Sequence, residues 1–237
     1  MRPSQLMHYF QTATQLVLVN ACLQLACLCV ASAASAAVVD VRVLDRSGAP
    51  VRDVVVTMSS TDSDSRTGAM KAGSNASHAM VMDQLQMMFT PQVLLVPIGT
   101  PVSFPNSDSV SHQVYSFSRT KPFQLPLYKG KTYPPVMFDK PGLVVLGCNI
   151  HDAMVGYIYV TDARWYGQTN SEGRLSLSDV SAGKVNVTIW SPIIADANNN
   201  LSRSVEVVGD RQELVFKMIR PLRSSPEPKP RRADWDY

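Results

Sequence analysis

The feature that most constrains this chain is a series of short apolar runs, each about one strand long and each cut by a turn-forming residue. "VVDVRV", "DVVVTM", "QVLLVPIG", "HQVYSF", "LVVLG", "GYIYV", "KVNVTIW", "SVEVV" and "ELVFKM" follow one another, separated by Gly, Pro, Asn and Ser. β-Branched and aromatic residues in short bounded runs build strands. No stretch has the repeat of a long amphipathic helix. The expected fold class is all-β, with sandwich architecture.

Residues 1–36 carry one charge, Arg2, then a mostly apolar stretch from Leu16 to Val30 that closes on "ASAASAA". That is the anatomy of a secretory signal peptide cleaved near Ala36. Asn20 and Gln24 interrupt the run and make it a poor membrane span. The mature chain is therefore expected to be exported, to the periplasm or beyond, with no transmembrane segment. Cleavage removes Cys22, Cys27 and Cys29, so Cys148 stands alone, and it removes His8, leaving His78, His112 and His151. Net charge falls from +3 to +2 with the loss of Arg2. No basic surface argues for nucleic acid.

Composition divides the rest. Residues 59–79 are small and polar and read as a linker, 80–162 form a block of strands, and 163–219 form a second block. The tail 220–237 is Pro-rich and charged and is expected to be disordered. The opening strands over 37–58 are too few to fold alone, since a lone hairpin is marginal. Their turn, with Asp45, Gly48, Pro50 and Val51, and the later turn, with Thr169, Asn170 and Gly173, resemble the carboxypeptidase regulatory-like domain. That resemblance implies a small transthyretin-like sandwich built from 37–58 plus 163–219, with 80–162 inserted between its strands.

The stretch "GCNIHDAMVGYIYV" places Cys148, His151 and Met154 three residues apart, between Gly147 and Gly156. β-Type runs on both sides make a tight loop the better reading than a helix. A fourth group has to come from His112 or from His78 in the linker. Thiolate, thioether and imidazole together suit copper: the soft donors favour Cu(I), and imidazole also suits Cu(II). Zinc sites normally take four N or S ligands that do not include Met. The c-type haem pattern Cys-x-x-Cys-His is absent. A catalytic Cys–His pair would need an oxyanion hole, of which there is no separate sign. An unpaired thiol in an oxidising compartment calls for burial or a metal.

Residues 84–160 resemble the cupredoxins, in particular the amicyanin-like members with a short Cys-x-x-His-x-x-Met loop. The phrases "FPNSD", "VYSFS" and "CNIHD" bring them closest to the exported proteins often labelled methylamine-utilisation proteins. The resemblance implies one type 1 copper ion, with His112, Cys148 and His151 as equatorial ligands and Met154 axial. It implies that Asn106 supports the site by tying its strand to the ligand loop. Gly147 and Asp152 depart from the family, where a larger residue and Pro are usual.

The expected function is one-electron transfer to or from a redox protein partner, with His151 as the route and no enzymatic chemistry. Two alternatives come from other classes. One is a copper carrier or buffer, favoured by Met80, Met82, Met87 and Met88. The other is a glycan- or protein-binding sandwich using Trp165, Tyr166 and Trp190. Lys121, Lys129 and Lys131 read as a solvated face. Nothing in the sequence fixes an oligomeric state.

Overall fold

A computed structural model of the protein describes residues 36–61, 71–72, 80–130 and 132–224. The signal segment up to Ser35, His78, Lys131, most of the 59–79 linker and the tail beyond Ser224 lie outside these residues. Within them the fold is all-β, and no helix is long and apolar enough to cross a membrane.

The first three strands are β1 (Ala36–Leu44), β2 (Val55–Ser60) and β3 (Lys71–Ala72). The middle of the chain carries β4 (Asp83–Leu85), β5 (Met88–Thr90), β6 (Val93–Pro97), β7 (Thr100–Val102), β8 (Tyr115–Ser116) and β9 (Phe123–Gln124). It continues with β10 (Val136–Phe138), β11 (Gly142–Gly147) and β12 (Val155–Thr161). The last five are β13 (Trp165–Gln168), β14 (Arg174–Ser181), β15 (Gly183–Trp190), β16 (Asn200–Val207) and β17 (Arg211–Lys217).

β1 alternates strictly, so Ala37, Val39, Val41 and Val43 all point inward and are at most 1% exposed. It lies between β14, antiparallel, and β17, parallel. β2 lies between β15 and β13 in a second sheet, ordered β16-β15-β2-β13-β3. The strands before residue 73 thus pair with strands after Arg164. Their shared core includes Val41, Met58, Trp165, Val187 and Phe216. Ser59 and Ser60, read as linker from composition, belong to β2 and face Asn186 and Val185. Lys71 and Ala72 likewise pair with Trp165 and Tyr166. Backbone pairing at a sheet end does not require apolar side chains, and composition is blind to it.

The turn residues explain how the distant halves lock. Asp45 accepts from the Ala49 amide at 2.8 Å and from the Ser47 hydroxyl at 2.7 Å, closing the first turn. Buried Thr169 donates to the Val51 carbonyl at 2.8 Å and accepts from the Val54 amide at 3.0 Å. Gly173 has φ +68°, and a Cβ there would lie 2.5 Å from the Val43 carbonyl oxygen, so only glycine fits.

The middle strands form a five-stranded sheet, β6-β12-β11-β8-β9, and two short pairs, β10-β7 and β4-β5. They enclose a separate core of Met82, Phe89, Phe104, Phe138, Leu146 and Ile158 among others. The opposite face of the five-stranded sheet meets the other sandwich. There Val93, Leu95, Leu143, Tyr157 and Tyr159 pack with Val55, Tyr166 and Trp190. The Trp190 ring lies 5.7 Å from that of Tyr157 and 5.4 Å from that of Tyr159. Trp165, Tyr166 and Trp190 are all buried, so none presents a stacking surface to a glycan.

Candidate metal centre

The β11–β12 ladder runs in register from Gly142↔Val160 to Gly147↔Val155. Residues 148–154 connect its ends as two successive turns, closed by the Met154 amide donating to the His151 carbonyl at 2.9 Å. His112 comes from across the site. Its amide and carbonyl exchange hydrogen bonds of 3.0 and 2.9 Å with Tyr128.

These elements bring three of the expected donors together. Nδ1 of His112 and Nδ1 of His151 are 3.1 Å apart. Cys148 Sγ is 3.9 Å from the first and 3.6 Å from the second. A metal bonded at about 2.0 Å to each nitrogen and 2.3 Å to sulfur in a trigonal plane needs separations of about 3.5 and 3.7 Å. The observed triangle fits an ion at its centre. His112 is 0% exposed and Cys148 4%, while His151 is half-buried at the open side. Met154, 1% exposed, packs in the same core cluster as Cys148. His78 is outside the described residues.

The ring of His112 is fixed by a residue that sequence reasoning missed. Asp108 Oδ2 lies 3.0 Å from His112 Nε2 and also accepts the Met87 amide at 2.7 Å. A carboxylate on Nε2 keeps the proton there and leaves the Nδ1 lone pair facing the sulfur and the second imidazole, the usual outer support of a metal-bound histidine. The available signal was a carboxylate four residues before His112, inside a stretch read only as a turn.

Asn106 supports the site differently from expectation. Its Nδ2 donates to the Val110 carbonyl at 3.0 Å and to the Tyr128 carbonyl at 2.8 Å, and its Oδ1 accepts the Asp108 amide at 2.9 Å. These bonds shape the turn that carries Asp108 and hold the strand paired with His112. They serve the His112 side of the site and do not reach the 148–154 loop. Behind them, fully buried Gln84 donates to the Pro105 carbonyl and the Tyr128 hydroxyl, which donates to the Phe104 carbonyl at 2.6 Å.

The electrostatics suit a metal-binding thiolate. Burial pushes Cys148 up, but its interaction with the His112 ring and hydrogen bonds from the amides of Gln113 and Ile150 outweigh it and hold the thiol below its ordinary value. Burial pushes His112 down, yet its bonds to Cys148 and Asp108 carry it above the usual histidine value. His151 stays low, through burial first and then the nearby His112 charge.

The methionines near residue 85 sit in different surroundings. Met82 is 0% exposed in the core with Met80 packed against it. Met87 shares with Gln86 the tight turn joining β4 and β5 (φ +57° and +55°).

No protein-family model matches the chain, and no curated protein matches it. Solved structures are similar over part of it. A copper-containing nitrite reductase from Thermus scotoductus is 30% identical over 35% of this chain and 22% of its own, with a TM-score of 0.33. The chain thus spans about a fifth of that enzyme's length. A reduced tryptophan-to-tyrosine mutant of amicyanin is 24% identical over 36% of this chain and 85% of its own, with a TM-score of 0.33. A purple cupredoxin from Nitrosopumilus maritimus is 24% identical over 35% and 99%, with a TM-score of 0.30.

Proposed function

We propose that this protein is an exported cupredoxin-type copper protein that carries single electrons and has no substrate chemistry of its own. The observation that supports it best is the convergence of His112, Cys148 and His151, whose donor atoms all lie within 4.8 Å of one another. Those three residues would hold one type 1 copper ion, with Met154 as a fourth, weaker donor. When bound, copper supplies a one-electron Cu(II)/Cu(I) couple.

The chain's own contribution is to hold the donors in one arrangement for both oxidation states. Asp108 fixes the His112 ring, Gln113 donates to the Cys148 sulfur at 3.5 Å, and the β11–β12 ladder anchors both ends of the ligand loop. The buried core around Cys148 and Met154 keeps water away, leaving the half-buried His151 as the opening. The strands flanking the block would form the carboxypeptidase regulatory-like sandwich, and the whole would belong with the exported methylamine-utilisation type. The copper-buffer alternative draws little support, because Met82 serves the core.

Metal analysis with a visible spectrum of the mature protein tests the reading. Stoichiometric copper and an intense thiolate charge-transfer band are expected, with Cys148→Ser losing the band but keeping its β-type circular dichroism. Stoichiometric zinc that resists copper, with no such band, would overturn it.

A further inference from the structure

Gly147, the covalent neighbour of Cys148, is one of the two residues where this chain departs from its resemblance. A Cβ there would lie 2.7 Å from both Cζ and Oη of Tyr115, so the Tyr115 ring occupies the space that a side chain would fill. Tyr115 pairs with Gly147 across β8 and β11, and its ring lies 5.1 Å from that of Phe117. Phe117 is 82% exposed, an unusual state for a phenylalanine. Val145, two residues before Gly147 on the same face of β11, is 41% exposed.

This strip continues a surface that is already an interface. Leu143 and Tyr157, the neighbours of Val145 along β11 and across to β12, are covered by the Trp190 cluster of the other sandwich. The apolar face therefore runs from that contact, past Val145, to Tyr115 and Phe117, where its cover stops. Two arginines lie along its edge. Arg119 is exposed and forms no ion pair among the described residues. Arg223 is exposed near Tyr157, whose hydroxyl burial pushes up and that charge partly restores. Apolar aromatics edged by arginine are the composition of binding hot spots. A second copy of this chain would bring arginine against arginine.

We propose that Tyr115, Phe117 and Val145, with Arg119 at the rim, form the docking face for a redox protein that presents an apolar patch edged by carboxylates. The face lies one peptide unit from Cys148, on the side of β11 opposite Val144 and Leu146, which pack in the same core as Cys148. It rests on the copper reading only for the partner's being a redox protein.

The test titrates the isotope-labelled full chain, metal-free and copper-loaded, with a plant-type ferredoxin, an acidic one-electron protein, at low and high salt. Amide shifts centred on residues 115–119 and Val145 are expected in both forms, weakening with salt. Phe117→Ser, at a site too exposed to matter for folding, should weaken binding about tenfold while leaving the visible spectrum and potential unchanged. Arg119→Ser should flatten the salt dependence. Shifts centred on Ile150 and Asp152, or no site-selective shifts, would overturn the proposal. An unchanged shift map in protein that binds no copper would fail the functional reading and leave this surface standing.

Discussion

Asp108 Oδ2 sits 3.0 Å from Nε2 of His112, so a residue that touches no candidate ion decides which nitrogen of that ring is free to bind one. Asp108→Asn keeps the size but weakens that choice. Copper affinity is expected to fall on the order of 10- to 100-fold, read by competition with a chelator. An unchanged affinity would mean that packing alone orients the ring.

Met154 is buried, and only its thioether is expected to reach the ion. Met154→Leu should leave copper held by His112, Cys148 and His151 and raise the reduction potential, because a soft thioether donor would add electron density to the metal. Voltammetry of both proteins, paired with copper transfer to a chelator, separates carriage of electrons from delivery of metal. Rapid copper loss from wild type during redox cycling would favour delivery.

Trp190 fills the contact between the two sandwiches. Trp190→Ala is expected to cost about 3–5 kcal/mol in chemical denaturation, the usual loss for a buried tryptophan. An excised 80–162 segment keeps every candidate ligand but uncovers Val93, Leu95, Leu143, Tyr157 and Tyr159. It should bind copper and self-associate, and polar replacement of Tyr157 and Tyr159 should restore a monomer by light scattering. A monomeric wild-type excision product would show that the contact is dispensable.

Tyr128 gives the fold an alkaline limit. Burial pushes its hydroxyl up to about 12 from an ordinary 10.0. The unfolded chain then releases this proton first, so the tyrosine's contribution is fully present below pH 10 and is lost as pH rises toward 12. Unfolding free energy should fall across that window. Tyr128→Phe should flatten the fall while costing about 1–3 kcal/mol at neutral pH, because Gln84 loses its partner.

The strand content was legible because it depends on local pattern. "LVVLG" and "GYIYV" fall within β11 and β12, and "KVNVTIW" within β15, with alternation matching burial. "HQVYSF" was less so: only Tyr115 and Ser116 form β8, since the chain around His112 is held by bridges and side chains. Cys148, His151 and His112 could be grouped from chemistry, and they converge. Asp108 could not be ranked above its neighbours, because an irregular turn has no period to say which carboxylate faces inward. The Gln84–Tyr128 bond joins residues that no local pattern relates, and neither was singled out.

The placement of β1 has a consequence for the order in which the molecule can assemble. Val38 pairs with Arg211 and Val41 with Leu214, so the first strand must wait for the last, across the whole middle of the chain. The β11–β12 hairpin, by contrast, closes over a short loop, and loop-closure entropy makes such contacts cheap and early. The candidate ligand loop should therefore be shaped while β1 is still unpaired, with the outer sandwich closing later against the far face of the five-stranded sheet. Pulsed hydrogen exchange during refolding would then protect the amides of β12 before those of β1.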